Sequence, residues 1–186
     1  MSEFEVFSIV LSFILGLGVA QLLSAVVFAI HSRRQMGLSW PPMLWALAIF
    51  LFHVNFLFAT LWFHSVDREF VWYMGDIIGA VLIFLSGGLI LPSASRPLSA
   101  DLDEFFARDG RLALIPLGLF LTMAIPFNLQ GGLPLLDPNN VILVILLAFA
   151  VLAFLGRGRL RTGATCGFAA LTVFAFLFVW ARPGAV

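Results

Sequence analysis

Two polar residues stand where a chain this apolar has little reason to place them. Asp76 falls about six residues inside the apolar run 71–91, and His53 lies near the middle of the run 42–64. An aspartate near a bilayer centre costs on the order of 2.5–3.5 kcal/mol on insertion scales, so an intramembrane acid reads as functional by default. A carboxylate and an imidazole that share a site titrate as a coupled pair. Such a pair has the chemistry to pass protons or to coordinate a cation.

Helical spacing enlarges the group. His53, Leu57, Thr60 and His64 recur at +0, +4, +7 and +11, inside an arc of about 60°. By depth, Asp76 is level with the stretch from Asn55 to Thr60 and with Ser8 to Ser12 on the first run. The expected polar cluster is therefore Asp76, His53, Thr60, Ser8 and Ser12, with His64 and Glu5 above it at a mouth. Asn128 and Gln130 could close the ring from a fourth helix. A buried hydrogen-bond network that fixes helix register accounts for the same residues, so pathway and network both stay open.

Other chemistries find less to work with. His53 is the only deep histidine, so a bis-histidine haem would need a second copy of the chain to supply the other ligand. No HExxH, GxSxG or glycine-rich phosphate loop occurs, which leaves zinc hydrolysis, serine hydrolysis and nucleotide hydrolysis without their residues. The expectation is no catalytic residue, no metal and no cofactor. With ten basic residues, all arginine, balanced by ten acids, nothing suggests a nucleic-acid surface.

The elements that must position these residues follow from composition. The 186 residues are 62% hydrophobic and 11% charged, with a mean hydropathy of +1.08. A soluble domain carries roughly a quarter charged residues. Lipid is the solvent this composition demands. Six runs approach the roughly 20 apolar residues a bilayer needs, at about 6–30, 42–64, 71–91, 112–130, 140–156 and 163–181. Pro116 and Pro126 fall inside the fourth, which predicts a kink.

The fold class expected is all-α, a single-domain integral membrane bundle of six spans in a bacterial inner membrane. Arg33, Arg34, Arg96, Arg108, Arg111, Arg157, Arg159 and Arg161 fall in the loops after spans one, three and five, against Arg68 and Arg182 on the other side. This bias predicts both termini outside the cytoplasm. The acidic start, with Glu3 and Glu5, lacks the positive charge of a secretory signal, so the first run reads as a retained span.

Two surfaces are further candidates. In DLDEFFARDGR, 101–111, Asp101 and Glu104 form a capping-box-like pair, and Leu102, Phe105 and Phe106 share a side. The segment reads as a short amphipathic helix at the cytoplasmic interface, its phenylalanines dipped among headgroups. Arg157, Arg159 and Arg161 would attract anionic lipid headgroups. Small residues at Ser8, Ser12, Gly16, Ala20 and Ser24 form a stripe on the first span. Such a stripe lets helix backbones approach closely, so it reads as a packing seam within a bundle expected to assemble as a homo-oligomer. Trp40, Trp45, Trp62, Trp72 and Trp180 read as an interfacial belt.

The pattern SxxLGLGxxQLL, the arginine pair, WPPMLWAL and HVNFLF together resemble small polytopic membrane proteins of bacteria. The resemblance runs loosely from residue 8 to about 112. It implies a helical membrane bundle and brings no activity and no site residue with it. The functions expected are an oligomeric proton, ion or small-solute pathway or, as the alternative, a non-catalytic scaffold or sensor subunit.

Overall fold

The computed structural model describes residues 3–37, 39–62, 70–92 and 101–180. The helices are α1 (Glu3–His31), α2 (Arg33–Met36), α3 (Trp40–Trp62), α4 (Phe70–Ile90), α5 (Leu102–Arg108), α6 (Leu114–Gln130), α7 (Pro138–Leu155) and α8 (Arg159–Ala175). A 3-10 turn, Gly110–Ala113, leads into α6, and a π-type stretch, Phe176–Trp180, ends α8. Among the described residues there is no strand. Six segments among the described residues are long and apolar enough to cross a membrane: α1, α3, α4, α6 together with its 3-10 turn, α7, and α8 together with its π-type end.

Their ends have local causes. Pro42 lies in the first turn of α3, where a missing N–H costs nothing. Asp137 caps α7, its Oδ1 accepting from the Asn139 backbone N–H at 2.8 Å, with Pro138 in the first turn. This cap starts the fifth span two residues earlier than the apolar pattern suggests. Gly158, at φ 54, makes the turn between α7 and α8, a conformation that would strain any residue bearing a Cβ. Pro116 falls in the first turn of α6, so only Pro126 interrupts the helix interior.

Contacts between side chains give the topology. Gly79 of α4 meets Phe56 of α3 and Phe120 of α6, while Gly75 meets Phe127, so α4 runs antiparallel to both neighbours. Trp45 reaches Thr165 and Phe168 of α8. Asn128 of α6 meets Asn140 of α7, and Phe149 of α7 lies on Gly167 of α8. Helices α3, α4, α6, α7 and α8 thus close a ring.

Aromatic rings fill its centre. Phe52 lies 5.9 Å from Phe120, 6.1 Å from Phe168 and 5.5 Å from Trp180, and Phe56 lies edge-on to Phe120 at 5.4 Å. Helix α1 lies outside the ring, in the groove between α3 and α4. It runs parallel to α4, with Phe7 against Tyr73 at one end and Leu22 beside Gly87 further along.

Placing α1 in this groove overturns the seam reading within the chain. The buried face of α1 is Phe7, Leu11, Leu15, Gly18, Leu22, Ala25 and Ala29. Ser12, Gly16, Ala20 and Ser24 are exposed on the outer face, Ser8 is half-buried, and a Cβ added at Gly16 would meet nothing within 4 Å. Large side chains, Phe7, Leu11, Leu15 and Leu22, fill the groove. Close approaches occur at Gly18, against the His53 ring, and at Gly88 of α4, against the Gln21 side chain.

Candidate functional site

The inward stripe of α3 is real. His53 is 1% exposed and Thr60 is buried, with Leu57 half-buried between them. Both polar side chains bond back to their own helix. The Thr60 hydroxyl donates to the Phe56 carbonyl at 2.9 Å, and His53 Nδ1 lies 2.9 Å from the Ile49 carbonyl oxygen. A carbonyl can only accept, so Nδ1 carries the hydrogen and Nε2 presents a lone pair in the neutral ring. Nε2 is buried without a hydrogen-bond partner. It faces α1, where a Cβ added at Gly18 would stand 2.4 Å away, and Cε1 of the same ring approaches Gly87 of α4.

Asp76 is 3% exposed on the inward face of α4 with Gly79, Ala80 and Ile83. The Phe56–Gly79 contact puts Thr60 and Asp76 one turn further along their antiparallel helices, at one level. On α1 that level belongs to Phe7 and Leu11, which pack with Ala80. The expected cluster is therefore divided. Thr60 and Asp76 share a level, whereas His53 reaches Gly87, eleven residues along α4 from Asp76 and on the order of 16 Å at about 1.5 Å per residue. Phe56, Gly79, Ala80 and Ile83 lie between those levels.

Other members are placed elsewhere. Ser12 is exposed on the outer face of α1, and the Ser8 hydroxyl donates to the Glu5 carbonyl at 3.0 Å. The Glu5 side chain is exposed. His64 lies outside the described residues, as do Arg68, Arg96 and Arg182. The Asn128 amide donates to Asn140 Oδ1 at 2.9 Å, and the Asn140 amide donates to the Pro134 carbonyl at 2.9 Å, so Asn128 ties α6 to α7 and does not close a ring around Asp76. The nitrogen through which His53 would ligate a haem shared across a dimer, Nε2, faces Gly18 of α1, with Gly87 of α4 beside the ring.

Three polar ties were not legible as such. Trp45, read above as a belt residue, is 1% exposed; its Nε1–H donates to Thr165 Oγ1 at 3.0 Å, and its ring lies on Phe168. The Ser86 hydroxyl donates to the Ala113 carbonyl at 2.9 Å, fastening α4 to the turn before α6. Ser39 donates to the Asp103 carboxylate, fastening α5 to the start of α3. A lone serine or threonine in an apolar run was the only signal for these, and it does not name a partner.

Helix α5 forms where expected but is used differently. Leu102 and Phe106 are buried in the protein core, not dipped among headgroups, and Phe105 is half-buried. Asp101 makes no side-chain cap bond. The helix closes one end of the bundle, with Asp101, Asp103, Glu104 and Arg108 exposed. Beside it, the Arg161 guanidinium stands 5.8 Å from the Phe106 ring centre and that of Arg111 stands 5.8 Å from the Phe154 ring centre. Arg157 and Arg159 are exposed on the adjoining turn.

Compared with known proteins, the chain matches no family model, no curated protein and no solved structure.

Proposed function

We propose that this multi-pass protein is a non-catalytic docking module of a bacterial inner membrane, working at its arginine-bearing end on the cytoplasmic side. The observation that carries this reading is the way 101–113 is folded. Leu102, Phe106 and Ala113 are buried, and Ser39–Asp103 and Ser86–Ala113 bonds fasten the segment at both ends. A segment secured this way holds Glu104 and Arg108 outward in a fixed array, as a surface for a protein partner requires. The aromatic filling of the ring supports the same reading, since the axis of one chain is occupied by side chains.

Photocrosslinking tests it. A crosslinker placed at Glu104 or Arg108 in cells should give a discrete product that disappears when Leu102→Asp detaches α5. A crosslinker at Leu136, exposed at the other end, should give none of that product. Equal labelling from both ends, or indifference to Leu102→Asp, overturns the proposal.

A second reading keeps Asp76, His53 and Thr60 as part of an oligomeric proton, ion or small-solute pathway. What favours it is the pair of buried ionisable side chains within apolar spans. Proton or cation flux into proteoliposomes that Asp76→Asn abolishes would establish this reading. Flux equal to that of empty liposomes removes it.

A further inference from the structure

We infer that Arg111, Arg157, Arg159 and Arg161 form a seat for the phosphate of an anionic phospholipid. Three elements bring them to one corner. Arg111 comes from the 3-10 turn and stands over Phe154, which lies three residues before Arg157 at the end of α7. Arg161 comes from the first turn of α8 and stands over Phe106 of α5. Each of these guanidiniums lies within cation–π reach of a ring, which leaves N–H donors to bind an anion.

Charge complementarity points to what binds. Among the described residues none of the four arginines has a carboxylate within ion-pair distance; the one ion pair joins neighbours Arg108 and Asp109 at 3.3 Å. Four guanidiniums without an anion make a strong site for a phosphate, which arginine binds through parallel N–H bonds.

The surroundings select a lipid over a free phosphate. Leu112, Leu155 and Leu160 border the arginines and are 43%, 71% and 56% exposed, so the cationic corner adjoins apolar surface at the ends of membrane helices. A headgroup with its acyl chains satisfies both parts, and inorganic phosphate satisfies only one. This site is independent of the protein-docking proposal, because it uses different side chains and needs no protein partner.

The test is lipid retention by the purified chain. Protein equilibrated in mixed micelles of equal phosphatidylglycerol and phosphatidylcholine is diluted into detergent, and bound lipid is counted by native mass spectrometry. Each arginine near an anionic surface is worth about a fivefold preference. The native chain should therefore retain phosphatidylglycerol over phosphatidylcholine by about fivefold or more. Arg157→Gln with Arg159→Gln, both exposed and therefore tolerated by the fold, should cut that ratio by about fivefold or more. Adding Arg111→Gln should cut it by about fivefold again. Arg33→Gln with Arg34→Gln, on the same end but away from these rings, should leave it unchanged.

Equal retention of the two lipids by the native chain overturns the inference. So does an equal fall in the Arg33 and Arg34 variant, which would make the effect one of general charge. Millimolar inorganic phosphate should not displace the retained lipid; displacement would assign the corner to a soluble anion. Loss of the crosslinked product at Glu104 with lipid retention intact would sink the docking proposal alone.

Discussion

Helix α3 buries a polar ring on each of two sides and treats them oppositely. Towards α8, Trp45 gives its only polar hydrogen to Thr165 and lays its ring on Phe168, so every polar atom has a partner. Towards α1 and α4, His53 secures Nδ1 on its own helix and leaves Nε2 against Gly18 with none. A satisfied buried polar group is a tie whose worth exceeds its area, whereas an unsatisfied one costs about 1–3 kcal/mol. The first side of α3 is built for cohesion. The second keeps a spare acceptor inside the protein at the cost of stability.

The strongest way to break this contrast is at the tie. Trp45→Ala should destabilise the chain by about 3–5 kcal/mol through the cavity it leaves. Trp45→Phe, which keeps most of the ring and loses the donor, should cost about 1–3 kcal/mol. Thermal unfolding in nanodiscs of fixed composition measures both; no loss in Trp45→Phe would mean that the hydrogen bond contributes nothing, and equal losses would mean that the ring's packing adds nothing beyond that bond.

Glycine position probes the other side. Gly18→Leu drives a side chain into the His53 ring and should cost about 1–3 kcal/mol, whereas Gly16→Leu, on the open outer face, should stay within about 0.5 kcal/mol. Adding His53→Ala to Gly18→Leu should recover part of the loss, a coupling that a double-mutant cycle reads directly. Ser86→Ala removes a tie of the Trp45 kind and should cost about 1 kcal/mol by the same assay.

The smallest effect sharpens the comparison most. His53→Leu replaces the ring with an apolar side chain of similar volume and removes the unpaired nitrogen. It should shift stability by less than about 1.5 kcal/mol in either direction. A loss comparable to that of Trp45→Ala would show that Nε2 has a donor in the membrane, and the two sides of α3 would then be alike.

The six spans were legible because hydropathy over twenty residues is a property of composition, and both observed and expected boundaries follow the same apolar runs. Facing was legible on α3, where His53 and Thr60 turn inward at helical spacing, and on α4, where Asp76 shares a face with Gly79 and Ala80. It was misread on α1. A small-residue stripe and a leucine stripe both repeat at three and four residues, and nothing in one helix says which of them meets a neighbour. The groove between α3 and α4 decides it, and that groove is a property of three helices together. Depth was legible for Asp76 and Thr60, which do share a level. The distance to His53 was underestimated because the reading gathered residues by membrane half, while Phe56, Gly79 and Ala80 hold the levels apart. Trp45 was assigned to the interface by its nearness to a span end, although a tryptophan one turn inside can bury its whole ring if another helix offers an acceptor.

The position of α1 also has a consequence for how the chain is made. Its most extensive partner is α4, which ends at Ile90, and not α3, which follows it in the chain. At about 5–20 residues per second, the ribosome needs on the order of 3–12 seconds to go from His31 to Ile90. Throughout that interval α4 is not there to cover the face of α1 that carries Phe7, Leu11 and Leu15. Helices α7 and α8, which pack extensively and follow one another in sequence, have no such wait. Helix α1 is therefore seated against its most extensive partner only after α3 and α4 have both been made.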